Sequence, residues 1–190
     1  MTLVATQPPA TGKFTAQEYL ALPESSGVHM ELVAGEIVVS PRPNFLHAYT
    51  LGTLFSILND HLLANALGAL YLEVDSIFDD DEVRSPDILY FPKNKSPTRE
   101  SGRDMRDVPA LCVEVLSPSN ARTDRVDKFN LYQKHGVQDY WIVDPVEKTF
   151  EAYTLAAARY VPSARGAADQ TLKAPPFPDL EIPLARLWHP

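Results

Sequence analysis

The stretch ALCVEVLSP, Ala110 to Pro118, reads as a buried β-strand and the turn that closes it, with one residue out of place. Side chains alternate across a strand, so Leu111, Val113 and Val115 face one side and Cys112, Glu114 and Leu116 the other. Both sides are apolar apart from Glu114. That pattern predicts a central strand covered on both faces. An ionised carboxylate there is costly unless it is paired, hydrogen-bonded or bound to a metal. Either an arginine or lysine from a neighbouring element answers Glu114 as a buried ion pair, or the strand carries chemistry.

The elements around it follow from periodicity and punctuation. Before the strand, SPDILYFP reads as another strand bounded by prolines, and Lys93 to Asp107 as a polar loop, long enough to be mobile or functional. Further upstream, ALYLEVDSIF predicts one strand, with the acidic run after it as a solvated turn. The longest helix runs from Asn44 to about Ala66, with Leu51, Leu54, Phe55, Leu58 and Leu62 at steps of three and four and Gly68 closing it. HMELVAGEIVVSP predicts a hairpin turning at Ala34-Gly35. Thr15 to Leu22 predicts a short helix capped by Thr15 and Glu18 and stopped by Pro23. Downstream, a helix from about Thr123 to His135 ends at Gly136. DYWIVDP and KTFEAYTL read as strands joined by a turn at Asp144-Pro145. The tail from about Ala156 predicts short strands, with FPDLEIPLARLW packed over one edge. From Asn44 on, the core order is helix, strand, strand, strand, helix, strand, a mixed α/β domain with helices covering a central sheet. Residues 1–13 read as a flexible arm and 14–190 as a single domain.

Composition narrows the function. The chain has 190 residues, 45% hydrophobic and 22% charged, with a net charge of −8. That argues against a surface coated in base for indiscriminate nucleic-acid binding. Glu73 to Glu82, EVDSIFDDDE, holds six acids and no base, so most of the negative charge is local and a basic patch elsewhere stays possible. Cys112 is the one cysteine, which excludes an internal disulfide and a cysteine-based zinc site. With no signal peptide and no apolar run approaching the roughly 20 residues of a membrane span, the expected compartment is cytoplasmic.

Two strands carry carboxylates where apolar residues belong. Asp87 enters SPDILYF with Leu89 and Phe91 following on its face. Asp after Pro is often a turn former. If the two strands are antiparallel neighbours, however, Asp87 and Glu114 approach across the ladder. Their mutual repulsion is then relieved by a divalent cation, and oxygen ligands suit Mg²⁺ or Mn²⁺. The following helix offers Lys128, four residues from both Asp124 and Tyr132. Spacing alone favours an exposed Asp124–Lys128 pair.

Pro86-Asp87, Glu114 and a helical lysine on this core resemble the PD-(D/E)xK nuclease superfamily. More narrowly, ELVAGEIVVSP, NFLHAYTLGTL, SPDILYF, VEVLSPSN, the lysine helix, GVQDYWIVDP and FPDLEIPLARLW resemble the Uma-type family within it, from about Phe14 to Leu187. A strict E-x-K would place lysine at 116, where this chain has Leu116. The family is similar to branches in which the lysine has moved to the next helix, and Lys128 is the matching position.

The resemblance implies a restriction-endonuclease-like fold: a mixed central sheet flanked by helices, with an N-terminal helix–hairpin addition and C-terminal strands. It implies a metal-dependent DNA endonuclease. The alternative is a catalytically silent module of the same fold, holding nucleic acid or a protein partner. The implied metal ligands are Asp87, Glu114 and the carbonyl of Val115, with Mg²⁺ or Mn²⁺ as cofactor and Lys128 acting on the attacking water. Glu31, in the family's E-L-x-x-G-E pattern, is either a further acidic group of the site or a strand-edge carboxylate. His47 continues the buried helix stripe and is either a core residue or a site residue. Arg99, Arg103, Arg106, Arg122 and Arg125 are candidate phosphate contacts or a solvated face. A homodimer is expected if both strands of a duplex are cut, since that needs two symmetry-related sites.

Overall fold

Helix α1, Ala16–Leu20, begins where Thr15 and Glu18 form the expected capping box, Thr15 accepting from the Glu18 amide and Glu18 from the Thr15 amide. The computed structural model of the chain describes residues 12–22, 29–40, 43–95, 97, 104–118 and 120–189. Pro23 lies outside them. The chain divides into two compact units. One takes the described residues of Met1–Arg42, Val74–Ser85 and Thr98–Asp107, and the other those of Pro43–Glu73, Pro86–Pro97 and Val108–Pro190.

The smaller unit contains α1 and the hairpin of β1, His29–Val33, and β2, Glu36–Ser40. Ala34 and Gly35 turn it with φ of 49° and 78°. Two consecutive left-handed residues give a turn whose twist matches that of paired strands. Strands β4, Asp75–Asp79, β5, Glu82–Arg84, and β7, Asp104–Met105, complete a sheet in the order β2-β1-β5-β4-β7. Ala16, Tyr19, Leu32 and Val83 form its core.

The larger unit holds a six-stranded sheet. Its strands are β3, Gly68–Leu72, β6, Ile88–Pro92, β8, Leu111–Val115, β9, Asp139–Asp144, β10, Thr149–Ala156, and β11, Arg159–Ala167. Their order is β11-β10-β9-β8-β6-β3, so β8 is interior, and all five of its residues are buried. Strands β6 and β8 run antiparallel with Ile88 opposite Val113. Strands β8 and β9 run parallel, which requires a crossover, and the lysine helix supplies it.

Helices cover both faces of β8. Helix α2, Phe45–Asn65, is capped by Asn44, whose side chain accepts from the His47 amide. Its Leu54, Leu58 and Leu62 pack with Leu111, Val113 and Val115, the apolar face expected from alternation. The opposite face, with Cys112 and Glu114, meets a six-residue π-helical stretch, Thr123–Lys128, that runs directly into α3, Phe129–Lys134. The wall here is aromatic. Tyr132 and Phe129 stand edge-on to Tyr140 of β9, with ring centroids 5.1 and 6.1 Å apart. Gly136, at φ 77°, follows the helix end. The tail adds β11 to the sheet and a second hairpin of β12, Thr171–Ala174, and β13, Phe177–Pro183. Phe177, Ile182, Leu184, Leu187 and Trp188 join the core on the α2 side.

Two expectations are corrected. ALYLEVDSIF is two strands, β3 and β4, in different sheets, with the chain turning at Glu73, φ 50°. A non-glycine left-handed residue ends pairing there without the usual sequence mark. Gly68 opens β3 rather than closing α2, and the helix is ended by Ala66 in the left-handed conformation at φ 51°.

Candidate active site

The register of β6 and β8 decides where the carboxylates lie. With Ile88 opposite Val113, Asp87 comes immediately before β6 beside the position of Glu114. A hydrogen bond ties the two segments together, the Val115 amide donating to Asp87 Oδ2 at 2.6 Å. His47, on the first turn of α2, meets the same oxygen through Nε2 at 3.2 Å. A carboxylate only accepts, so Nε2 carries the proton. Burial opposes charge on the His47 ring. The hydrogen bond and charge of Asp87, with Glu73 and Asp124 beyond, outweigh it and hold its pKa above the ordinary histidine value. His47 Nδ1 is buried without a hydrogen-bond partner among the described residues.

Glu114 is 2% exposed, and both its oxygens are engaged. The Lys128 ammonium donates to Oε2 at 2.9 Å, and the Tyr132 hydroxyl donates to Oε1 at 2.7 Å. Lys128 also stands 3.4 Å from Asp124 Oδ1. Asp124 and Lys128 are 3% and 6% exposed, so the surface ion pair that spacing allowed is in fact buried. The helix backbone is held in turn by Tyr140, whose hydroxyl donates to the Asp124 carbonyl at 2.9 Å. The negative charge of this pocket is felt by its neighbours. Burial, then the charges of Glu114 and Asp124, push the Tyr140 phenol well above its ordinary range. Burial and Glu114 do the same to the Cys112 thiol, with Lys128 opposing.

Lysine reaches Glu114 from the helix because residues 128 and 132 fall on the face turned toward β8. Leu116, where a strand lysine would sit, is buried. Tyr132, which spacing reads as a support for Lys128 or a packing residue, donates to Glu114, the partner of Lys128. Its signal was present, four residues after Lys128 on the same helical face.

Glu31 belongs to the smaller unit, where Oε1 accepts from the Ser85 amide at 3.0 Å and Oε2 lies 3.6 Å from the buried Arg84 guanidinium. Arg125 is bound by Glu151 at 3.0 Å and lies 3.8 Å from Asp144. Arg122 is exposed beside the helix start, and Arg106 is exposed in the smaller unit. Arg99 and Arg103 lie outside the described residues.

Whether these groups suit a divalent cation can be judged from the donors themselves. No group of three or more His, Cys, Asp or Glu side chains among the described residues is placed to hold one. The donor chemistry nevertheless fits. Glu114 and Asp124 are two carboxylates on one ammonium, Asp87 lies across the ladder from Glu114, and carboxylate oxygen is what Mg²⁺ prefers. Among the described residues, the hydrogen bonds to Asp87 all fall on Oδ2.

A mixed sheet with strand carboxylates and a helical lysine defines a nuclease-like α/β protein. The chain belongs to the Uma2 family, described as "Putative restriction endonuclease", whose profile matches residues 16–185. A crystal structure described as a "putative nuclease belonging to DUF820", from Anabaena variabilis ATCC 29413, is similar with a TM-score of 0.77 at 25% identity. The match covers 92% of this chain and 97% of that one. No curated protein matches the chain.

Proposed function

We propose that the chain is a metal-dependent DNA endonuclease that hydrolyses phosphodiester bonds. The observation that carries this reading is the convergence of Lys128 on Glu114, on a strand held in register with Asp87. An expensive buried carboxylate, a lysine delivered by the next helix and a second carboxylate across the ladder form a set that packing alone does not require.

Asp87, Glu114 and the Val115 carbonyl would hold Mg²⁺ or Mn²⁺. A bound divalent ion there supplies Lewis acidity and a water of lowered pKa. The protein's own groups do the rest. Lys128 orients the attacking water and offsets charge gathering on the phosphoryl oxygens, for which a compact ammonium is suited. Tyr132 fixes the Glu114 carboxylate. His47 holds Asp87 Oδ2 and so directs the other oxygen. Glu31 fixes the Ser85 amide, two residues before Asp87 in the chain. Arg122 is exposed and available to a phosphate, whereas Arg125 would first have to leave Glu151. Two-fold pairing of chains would present two sites to a duplex.

A second reading also has support. Both oxygens of Glu114 are already satisfied by protein donors, as expected of a silent nuclease-fold module that binds nucleic acid or a protein partner. A plasmid-nicking assay with Mg²⁺ and with Mn²⁺ separates the two. The nuclease predicts cleavage by the wild type that Glu114→Gln and Lys128→Ala both abolish. DNA retention without cleavage under either metal would establish the silent module instead.

A further inference from the structure

Lys128 touches two carboxylates unequally. Its Nζ donates to Glu114 Oε2 at 2.9 Å and stands 3.4 Å from Asp124 Oδ1. Asp124 lies on a fixed backbone, its carbonyl accepting from the Tyr140 hydroxyl and its amide donating to the Asn120 carbonyl at 3.0 Å. The lysine stem is flexible, so a small rotation moves the ammonium between the two acceptors. Glu114 itself is held at its other oxygen by Tyr132, which has no exposed surface. A cation arriving at Glu114 Oε2 would repel the ammonium already there. Glu114 and Asp124 share the Lys128 ammonium, so when a cation takes Glu114 the second carboxylate can keep Lys128 in the pocket.

We propose that Asp124 is a positioning residue that receives the Lys128 ammonium when Glu114 engages a divalent cation. The inference rests on the metal-dependent reading of the site. Lys128 serves Glu114 as counter-ion while no cation is bound. On binding, Nζ leaves Oε2 for Asp124 and remains in the site as a buried, correctly placed cation. Tyr132 keeps its hold on Oε1 throughout, so the carboxylate does not swing as the lysine departs.

The test is Mn²⁺ binding, followed by electron paramagnetic resonance of the free ion, in wild type, Asp124→Asn, Lys128→Met and the double variant. Asp124→Asn should weaken Mn²⁺ binding roughly tenfold, within the span of couplings between touching charges. Lys128→Met should tighten it, because the competing ammonium is gone. In the Lys128→Met background, Asp124→Asn should then change affinity by less than about twofold. An equal loss in both backgrounds would mean that Asp124 acts only as a distant negative charge, and the proposal would fall.

Should Lys128→Met not fold, a crystal structure of the wild type grown with Mg²⁺ decides the matter. Nζ within hydrogen-bonding distance of Asp124 and away from Glu114 supports the transfer. Nζ still on Glu114 beside a bound cation overturns it. No Mn²⁺ binding by the wild type at millimolar concentration would remove the metal-dependent reading together with this one. Mn²⁺ binding without DNA cleavage would remove only the nuclease.

Discussion

Tyr132 donates its phenolic proton to Glu114 Oε1 at 2.7 Å from a ring that is wholly enclosed. The contact explains how a strand carboxylate survives with two apolar neighbours on its own face. Tyr132→Phe keeps the ring against Tyr140 and removes only the hydroxyl. Leaving a buried acceptor without such a donor costs on the order of 1–3 kcal/mol. Urea unfolding followed by circular dichroism should show that loss with an unchanged m-value.

Lys128→Met should be more damaging. Removing one partner of a buried pair leaves an uncompensated charge, typically about 3–5 kcal/mol. Glu114→Gln in the same chain removes that charge, so the double variant should lose clearly less than the two single losses combined. A double-mutant cycle from denaturant midpoints measures the difference. Additive losses would show that the two groups are not energetically coupled.

Glu151 governs an acid-side stability term. Burial raises its pKa, but the Tyr153 hydroxyl at 2.7 Å and the Arg125 guanidinium at 3.0 Å outweigh burial and hold it below the ordinary glutamate value. The folded protein therefore binds this proton less readily than the unfolded chain. Its stabilisation is complete above the unfolded glutamate pKa of about 4.3 and is lost as pH falls through the depressed folded value. Glu151→Gln should flatten that part of the curve of melting temperature against pH. The same substitution should bring the Tyr153 phenol, pushed up to about 12 by burial and by Glu151, back toward its usual range, as seen in a spectrophotometric titration.

Gly68→Ala tests the edge of the larger sheet. Gly68 has φ 154°, and a Cβ there would strike the Phe91 carbonyl and approach the Pro92 Cα at 2.9 Å. Those atoms are backbone of the paired strand β6 and cannot step aside cheaply. The expected loss is about 1–3 kcal/mol, with β3 amides exchanging hydrogen faster than those of β8. Equal acceleration across both strands would argue against a local effect.

Much of this could be read from residue order because the signals are local. The alternation in ALCVEV placed Leu111, Val113 and Val115 against α2 and Glu114 on the other face, as the packing has it. The capping box at Thr15 and the turn at Ala34-Gly35 are short-range chemistry of the same kind. The split of ALYLEVDSIF was not legible, because Glu73 turns the chain without glycine or proline. Strand β5 has three residues, too few for a period to show. The smaller sheet gathers strands from three separated stretches of chain, and pairing of that kind leaves no local mark. At the site, spacing put Asp124, Lys128 and Tyr132 on one helical side. Whether that side faced water or Glu114 depended on the crossover packing against β8 and β9.

The π-helical stretch from Thr123 to Lys128 has a consequence for sequence change along this chain. A π turn accommodates an extra residue within a helix that otherwise continues as α. Deleting one residue between Asp124 and Lys128 would leave a perfectly acceptable α-helix, and Lys128 and Tyr132 would still reach Glu114 from its C-terminal part. The π turn already absorbs that residue, so the turns upstream would shift by far less than a deletion from a regular α-helix brings. Asp124 would stay on the side of the helix that faces Lys128, and helix content and hydrophobic pattern would stay almost unaltered. The segment is therefore tolerant of substitution at its exposed positions, Val126 and Asp127, and of the loss of the one residue that the π turn takes up.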